Sequence, residues 1–273
     1  MRTRLTAALA ALALPAALAA QQPALPPDNA GAASRLAASP RHGEWVKVAV
    51  APGDSVTAWI AYPERKDKAP VVVVIHEIFG LTAWVRAVAD QLAADGFIAI
   101  APDLLSGKGP GGGGTEAVTQ EQATQLVRGL DRKEALTRIR LVGLWAADRP
   151  AANGRVGVVG FCWGGSTSFL LAADWAELGA AAVYYGGSPE AGYEAIRAPV
   201  LGLYGGDDAR VNATVPTAQS AMTRLGKRFE VETYEGAGHG FLRQQDGRDG
   251  ANARAAAAAW PRTVAFFRET LER

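Results

Sequence analysis

Cysteine is nearly absent. Cys162 is the only one in 273 residues, so neither an intramolecular disulfide nor a cysteine-built metal site can form. An excess of either charge is also lacking: 28 Lys and Arg stand against 27 Asp and Glu, a net charge of +1. That balance gives no bulk electrostatic case for nucleic acid or an anionic membrane surface. No convincing transmembrane run exists; the longest apolar stretch, Leu5 to Leu18, is too short and too rich in alanine. What remains is ordinary globular composition, 49% hydrophobic and 20% charged, enough for one α/β domain that needs no cross-links.

The N-terminus reads as a secretory signal peptide over residues 1–20. Met1-Arg2-Thr3-Arg4 is a basic start, Leu5 to Leu18 an apolar centre, and Ala17-Leu18-Ala19-Ala20 a small-residue cleavage site. Export to a bacterial periplasm or exterior is the expected localisation. An unpaired cysteine there asks for a reason, and nucleophilic chemistry is one. Residues 21–41, with Pro23, Pro26, Pro27 and Pro40, read as a linker with a short helical turn near Ala30 to Ala38.

The folded domain is expected over residues 42–273. Glu44–Val50 and Val56–Tyr62 alternate around Pro52-Gly53-Asp54, which predicts an antiparallel hairpin at the start of the sheet. Val71–Ile75 is an unbroken β-branched run of the kind buried on both faces of a parallel sheet. Further strands are expected at Phe97–Ala101, Val156–Gly160, Ala180–Tyr185, Val200–Tyr204 and Phe229–Tyr234. Helical patterns separate them, and the last runs from Ala251 to Leu271. The alternation predicts a mostly parallel, doubly wound sheet. Residues 103–115, with Gly111-Gly112-Gly113-Gly114, read as a mobile loop at a strand's carboxyl end. They lack the Gly-Lys-Ser/Thr ending of a phosphate loop.

Val156-Gly157-Val158-Val159-Gly160-Phe161-Cys162-Trp163-Gly164-Gly165 is the informative stretch. It reads as strand, sharp turn and helix, and Gly-x-Cys-x-Gly is the nucleophile-elbow pattern with cysteine in place of serine. The bland alternative is an inert core thiol. Two more groups fall at predicted strand ends: Asp208, after Tyr204-Gly205-Gly206-Asp207, and His239, between Gly238 and Gly240. Nucleophile, acid and base in that chain order match α/β-hydrolases. An imidazole can take the thiol proton, and an acid beyond it fixes the ring's tautomer. Asp207 is the other candidate acid; its alternative role, like that of Asp208, is a helix cap or a solvated carboxylate. His76-Glu77-Ile78-Phe79-Gly80 follows the Val71–Ile75 strand, where the second oxyanion-hole N–H arises. Ile78 and Trp163 are the expected backbone donors. Glu77 is odd there, because a carboxylate repels a developing oxyanion. It either points away or handles the thiol proton.

Together, His-Glu-Ile-Phe-Gly, Gly-Phe-Cys-Trp-Gly-Gly, Tyr-Gly-x-x-Asp and Gly-His-Gly-Phe resemble the dienelactone hydrolase family, over roughly Val46 to the C-terminus. The resemblance implies an α/β-hydrolase fold and a Cys162–Asp208–His239 triad. It implies hydrolysis of small esters or lactones, the carboxymethylenebutenolidase type of reaction, through an acyl-cysteine. It implies no metal and no organic cofactor, and links Glu77 to activation of the thiol. Arg243 matches one of two arginines that hold the substrate carboxylate in the family. The other has no counterpart in Pro102-Asp103-Leu104-Leu105-Ser106-Gly107, although Lys108 is near. A lysine cannot reproduce the bidentate fork, so dienelactone itself is a doubtful substrate. Phe79 and Lys108 join Arg243 as substrate-binding candidates. The expected partner is a small ester or lactone, with no nucleic acid and no stable membrane association. A non-catalytic secreted binding protein on the same scaffold is the alternative from another class, and acyl transfer or phosphotriester hydrolysis are alternatives at the same site.

Overall fold

The computed structural model describes residues 25–272, so the signal-peptide reading of residues 1–20 lies outside the described residues. Eight strands form one sheet in the order β1-β2-β4-β3-β5-β6-β7-β8. β1 (Gly43–Ala51) and β2 (Asp54–Ala61) are the expected antiparallel hairpin, and β2 runs antiparallel to β4 (Ile98–Pro102). β3 (Ala69–Ile75), β4, β5 (Ala152–Phe161), β6 (Ala180–Tyr184), β7 (Val200–Gly205) and β8 (Phe229–Tyr234) pair in parallel.

The burial explains the valine runs. Every residue of β3, β4, β6 and β7 is buried, because helices cover both faces of the central sheet. On one face Val72, Val74, Val159 and Leu203 pack with α2 (Ala83–Ala94) and α8 (Ala251–Leu271), through Trp84, Val88, Trp260 and Phe267. On the other, Val71, Val73, Val158 and Val183 pack with α4 (Arg132–Ala147), α5 (Trp163–Asp174) and α7 (Val215–Arg224). The remaining α-helices among the described residues are α1 (Ala32–Ala37), α3 (Gln120–Arg128) and α6 (Ala209–Asn212). No helix among the described residues is long and apolar enough to cross a membrane.

The stretch expected as a linker is, from residue 25 onward, a strap docked on the domain. The short helix expected there is α1, and its Ala32 is buried in the core. Trp84 Nε1 donates to the Pro27 carbonyl oxygen at 3.0 Å, and the Asn29 N–H donates to the Arg243 carbonyl oxygen at 2.9 Å. Arg41 Nε bonds Asp90 at 3.0 Å. Proline content set the expectation. The docking depends on partners in α2 and in the segment after β8, which a local reading does not see.

The loop after β4 is also tighter than expected. Asp103 is buried, and its carboxylate accepts from the Leu105 N–H at 3.0 Å, the Thr115 N–H at 2.7 Å and the Thr115 hydroxyl at 2.7 Å. One carboxylate thereby ties the two ends of the glycine-rich segment together.

Candidate active site

The elbow is built by close approach of backbone. A Cβ on Gly160 would lie 1.9 Å from the Gly164 carbonyl oxygen, so only glycine lets α5 fold back over β5. A Cβ on Gly164 would lie 2.4 Å from the Ile75 carbonyl oxygen, so the next strand also presses on the turn. Between them Cys162 takes φ 57° and ψ −113°, a sparsely populated conformation that costs on the order of 1–3 kcal/mol and concentrates at functional sites. Its N–H donates to the Tyr184 carbonyl oxygen at 3.0 Å, and its own carbonyl oxygen accepts from Ser166 at 3.1 Å. Those two bonds hold the strained residue in register.

His239 Nδ1 lies 2.5 Å from Asp208 Oδ2. A carboxylate only accepts, so Nδ1 carries the proton and Nε2 is left as the basic nitrogen. Asp208 is buried while His239 is part-exposed. Asp207, the other candidate acid, is exposed and pairs with Arg248 at 3.0 Å. The turn is fixed from behind, with the Asp207 N–H on the Ala237 carbonyl oxygen at 2.9 Å and Asn212 Nδ2 on that of Gly205 at 2.8 Å. Tyr185 packs edge-on against the His239 ring at 5.2 Å.

The segment after β3 supplies the third wall. Glu77 is buried, and its Oε2 lies 2.6 Å from Arg243 Nε, an ion pair whose N–H is not aimed squarely at the oxygen. The Arg243 guanidinium also lies over the Phe79 ring, 5.0 Å from its centroid. The Ile78 amide has no hydrogen-bond partner among the described residues. The Trp163 amide is free of the α5 hydrogen-bond ladder, and its N–H lowers the pKa of the neighbouring Cys162 thiol.

Charge and burial set the resting state. Burial, then the Glu77 carboxylate, push the Cys162 thiol up to about 11, against the pull of the Trp163 N–H and Arg210. Burial raises Glu77 from an ordinary 4.5 to about 7, with Arg243 opposing. Both effects follow from desolvating the charged form. At neutral pH the resting cysteine is therefore a protonated thiol. Among the described residues no hydrogen bond joins it to His239. Such apo arrangements tighten when substrate arrives.

The family model described as the dienelactone hydrolase family matches residues 56–271. The chain belongs to that family. It is 33% identical over 222 residues to a carboxymethylenebutenolidase of Pseudomonas putida, an alignment covering 79% of this chain and 92% of that one. Among solved structures it is similar to a dienelactone hydrolase-like promiscuous phosphotriesterase from metagenomic libraries. That match has 27% identity and a TM-score of 0.70, over 85% of this chain and 99% of the other. A dienelactone hydrolase from Anabaena variabilis shares the fold, with 21% identity and a TM-score of 0.62 over 85% and 99% of the two chains.

Within this dienelactone hydrolase family member, one expected substrate residue, Lys108, forms an ion pair inside the protein. The Lys108 ammonium is bound by Glu134 of α4 at 2.8 Å, beside Arg138 on the same carboxylate. That pairing spans 26 residues, and the motif around Lys108 does not announce it. Tyr185 also borders the site, against the His239 ring. It has φ 39°, and its hydroxyl is fully buried without a partner among the described residues. Burial, then the Glu77 charge, push its pKa well above the usual phenol value. The available signal was its place at the carboxyl end of β6, directly before Gly186-Gly187. Among the described residues no cluster of three or more His, Cys, Asp or Glu could hold a metal ion. A cavity of about 490 Å³ beside α5 is lined by Arg132, Ser166, Leu170, Ser188 and Glu190, and not by the Cys162, His239 or Asp208 side chains.

Proposed function

We propose that the protein hydrolyses small carboxylic esters or lactones through an acyl-cysteine intermediate on Cys162. The observation that carries this reading is the pairing of an oriented base with a strained elbow. His239 Nδ1 is held by Asp208 at 2.5 Å, and Cys162 sits at positive φ where α5 begins. Neither arrangement is needed to fill a core.

The steps follow from the side chains. Substrate entry displaces the thiol, and its proton passes to the Glu77 carboxylate or to His239 Nε2. The thiolate sulfur adds to the carbonyl carbon, and the oxyanion that forms is held by the Ile78 and Trp163 N–H groups. The carbon–oxygen bond then breaks, and the leaving alkoxide takes the proton. In a lactone that leaving group stays attached to the acyl chain. His239 next removes a proton from water, and the hydroxide adds to the thioester. Release of the carboxylic acid returns the proton to sulfur. Arg243 approaches Glu77 through Nε, so its terminal N–H groups can take an anionic substituent of the substrate, with Phe79 behind it. Arg243 supports esters and lactones that carry an anionic group.

A second reading has one specific support. A structural relative of 27% identity carries the description of a promiscuous phosphotriesterase, and a thiolate facing two N–H donors could also attack phosphorus. The exported location remains part of the proposal and rests on the tripartite pattern of residues 1–20.

The test is hydrolysis of a short-chain aryl ester, a lactone panel and an aryl phosphotriester, with Cys162→Ala alongside. Loss in the variant supports the reading, and the relative rates assign the substrate class. Activity retained in Cys162→Ala would end it.

A further inference from the structure

His76 is a buried polar residue to which the steps above assign no task. It follows β3 directly and is fully excluded from solvent. Its Nδ1 lies 2.6 Å from the carbonyl oxygen of Glu77. A carbonyl oxygen only accepts, so Nδ1 carries the hydrogen. That oxygen belongs to the same peptide unit as the Ile78 N–H. A trans peptide is planar, with its C=O and N–H pointing in opposite directions. Fixing the oxygen therefore fixes where the Ile78 N–H points.

The same ring also meets the other half of the oxyanion site. The imidazole lies nearly parallel to the Trp163 indole, 14° between planes and 5.8 Å between centroids. The elbow is pressed against this strand end, since a Cβ on Gly164 would stand 2.5 Å from the His76 carbonyl oxygen. His76 Nε2 is buried with no partner among the described residues. A ring that only filled space would be better apolar, because an unmet nitrogen in the core carries a desolvation penalty. Burial pushes the ring's pKa below the usual value, which keeps it neutral with one N–H.

We propose that His76 is a positioning residue for the oxyanion site. Its Nδ1–H holds the Glu77–Ile78 peptide so that the Ile78 N–H faces the reacting carbonyl, and its stacked ring sets Trp163 opposite. The proposal rests on the acyl-cysteine reading above. The hydrogen bond also polarises the peptide it holds, which strengthens the Ile78 N–H as a donor.

The experiment compares His76→Asn, His76→Gln and His76→Phe in the full chain. An Asn amide N–H sits where Nδ1 sits, a Gln amide reaches the Nε2 position, and Phe keeps only the ring. Two rates are read: kcat on a short-chain aryl ester, and alkylation of Cys162 by iodoacetamide, which passes through no oxyanion. His76→Phe and His76→Gln are expected to lower kcat about 10- to 100-fold with KM little changed, less than the loss of a whole oxyanion donor. His76→Asn is expected to stay within about threefold, and alkylation within about twofold in all three. If His76→Phe fails to fold, the Asn–Gln contrast decides. Unchanged kcat in His76→Gln, or equal loss in Asn and Gln, would overturn the proposal. So would alkylation falling in step with kcat, which would mean the elbow itself had moved. Cys162→Ala is run alongside: activity surviving there removes the acyl-cysteine reading, whereas loss there with unaffected His76 variants removes only this proposal.

Discussion

Arg243 and Glu77 form an ion pair, Nε to Oε2 at 2.6 Å, with the Glu77 carboxylate almost wholly buried beside the elbow. Arg243 lowers the pKa of that carboxylate, but burial outweighs it. The result is an acid that titrates in the working range next to a thiol that does not.

The first consequence concerns stability. Glu77 titrates near 7 folded and near an ordinary 4.5 unfolded, so the folded protein binds more protons between those values. Stability then falls as pH rises through that window, by about 3 kcal/mol in all. Urea midpoints from pH 4.5 to 7.5 should decline in the wild type along a slope that Glu77→Gln flattens. Equal slopes in both proteins would contradict the assignment.

The second concerns reactivity. The Glu77 carboxylate raises the thiol, so Glu77→Gln should speed iodoacetamide alkylation of Cys162 at pH 9 by about 3- to 10-fold. If Glu77 also accepts the thiol proton during turnover, the same variant should lose about 10- to 100-fold in kcat. Alkylation and kcat moving in the same direction would argue against that dual part.

The third concerns Gly160. A Cβ there would lie 1.9 Å from the Gly164 carbonyl oxygen and 2.5 Å from Ser168 Oγ. Neither the helix start nor β5 can yield. Gly160→Ala should cost roughly 3 kcal/mol or more by thermal unfolding and remove activity with it. Gly129→Ala, whose Cβ would meet nothing closer than 3.5 Å, is the control and should be near neutral.

The fourth concerns Asp103. Asp103→Ala leaves two backbone N–H groups and the Thr115 hydroxyl without their acceptor. The expected loss is roughly 2–4 kcal/mol. Limited proteolysis should then cut near Gly111–Gly114, and the wild type should resist. Resistance in both would mean other contacts hold the loop.

The architecture was legible because the signals are local. An unbroken run such as Val71–Ile75 declares a strand buried on both faces, and Gly-x-Cys-x-Gly declares a turn that only small residues permit. Cys162, Asp208 and His239 could be placed at strand ends for the same reason. What escaped the sequence is pairing across distance. Nothing near Lys108 reveals that Glu134 binds it, and nothing near Pro27 reveals that Trp84 donates to it. Asp103 looked like part of a loose loop because its partners lie up to twelve residues on. Glu77 stood out as chemically odd, yet its tie to Arg243 depends on the segments after β3 and β8 coming together.

The central claim is an acyl group carried on Cys162. The most direct measurement is intact mass of the protein quenched during turnover of a short-chain aryl ester. The account predicts a transient species heavier by one acyl group, on a peptide containing Cys162, together with a burst of aryl product. It also predicts no such species in Cys162→Ala. Steady turnover with no adduct, matched by the alanine variant, would contradict it.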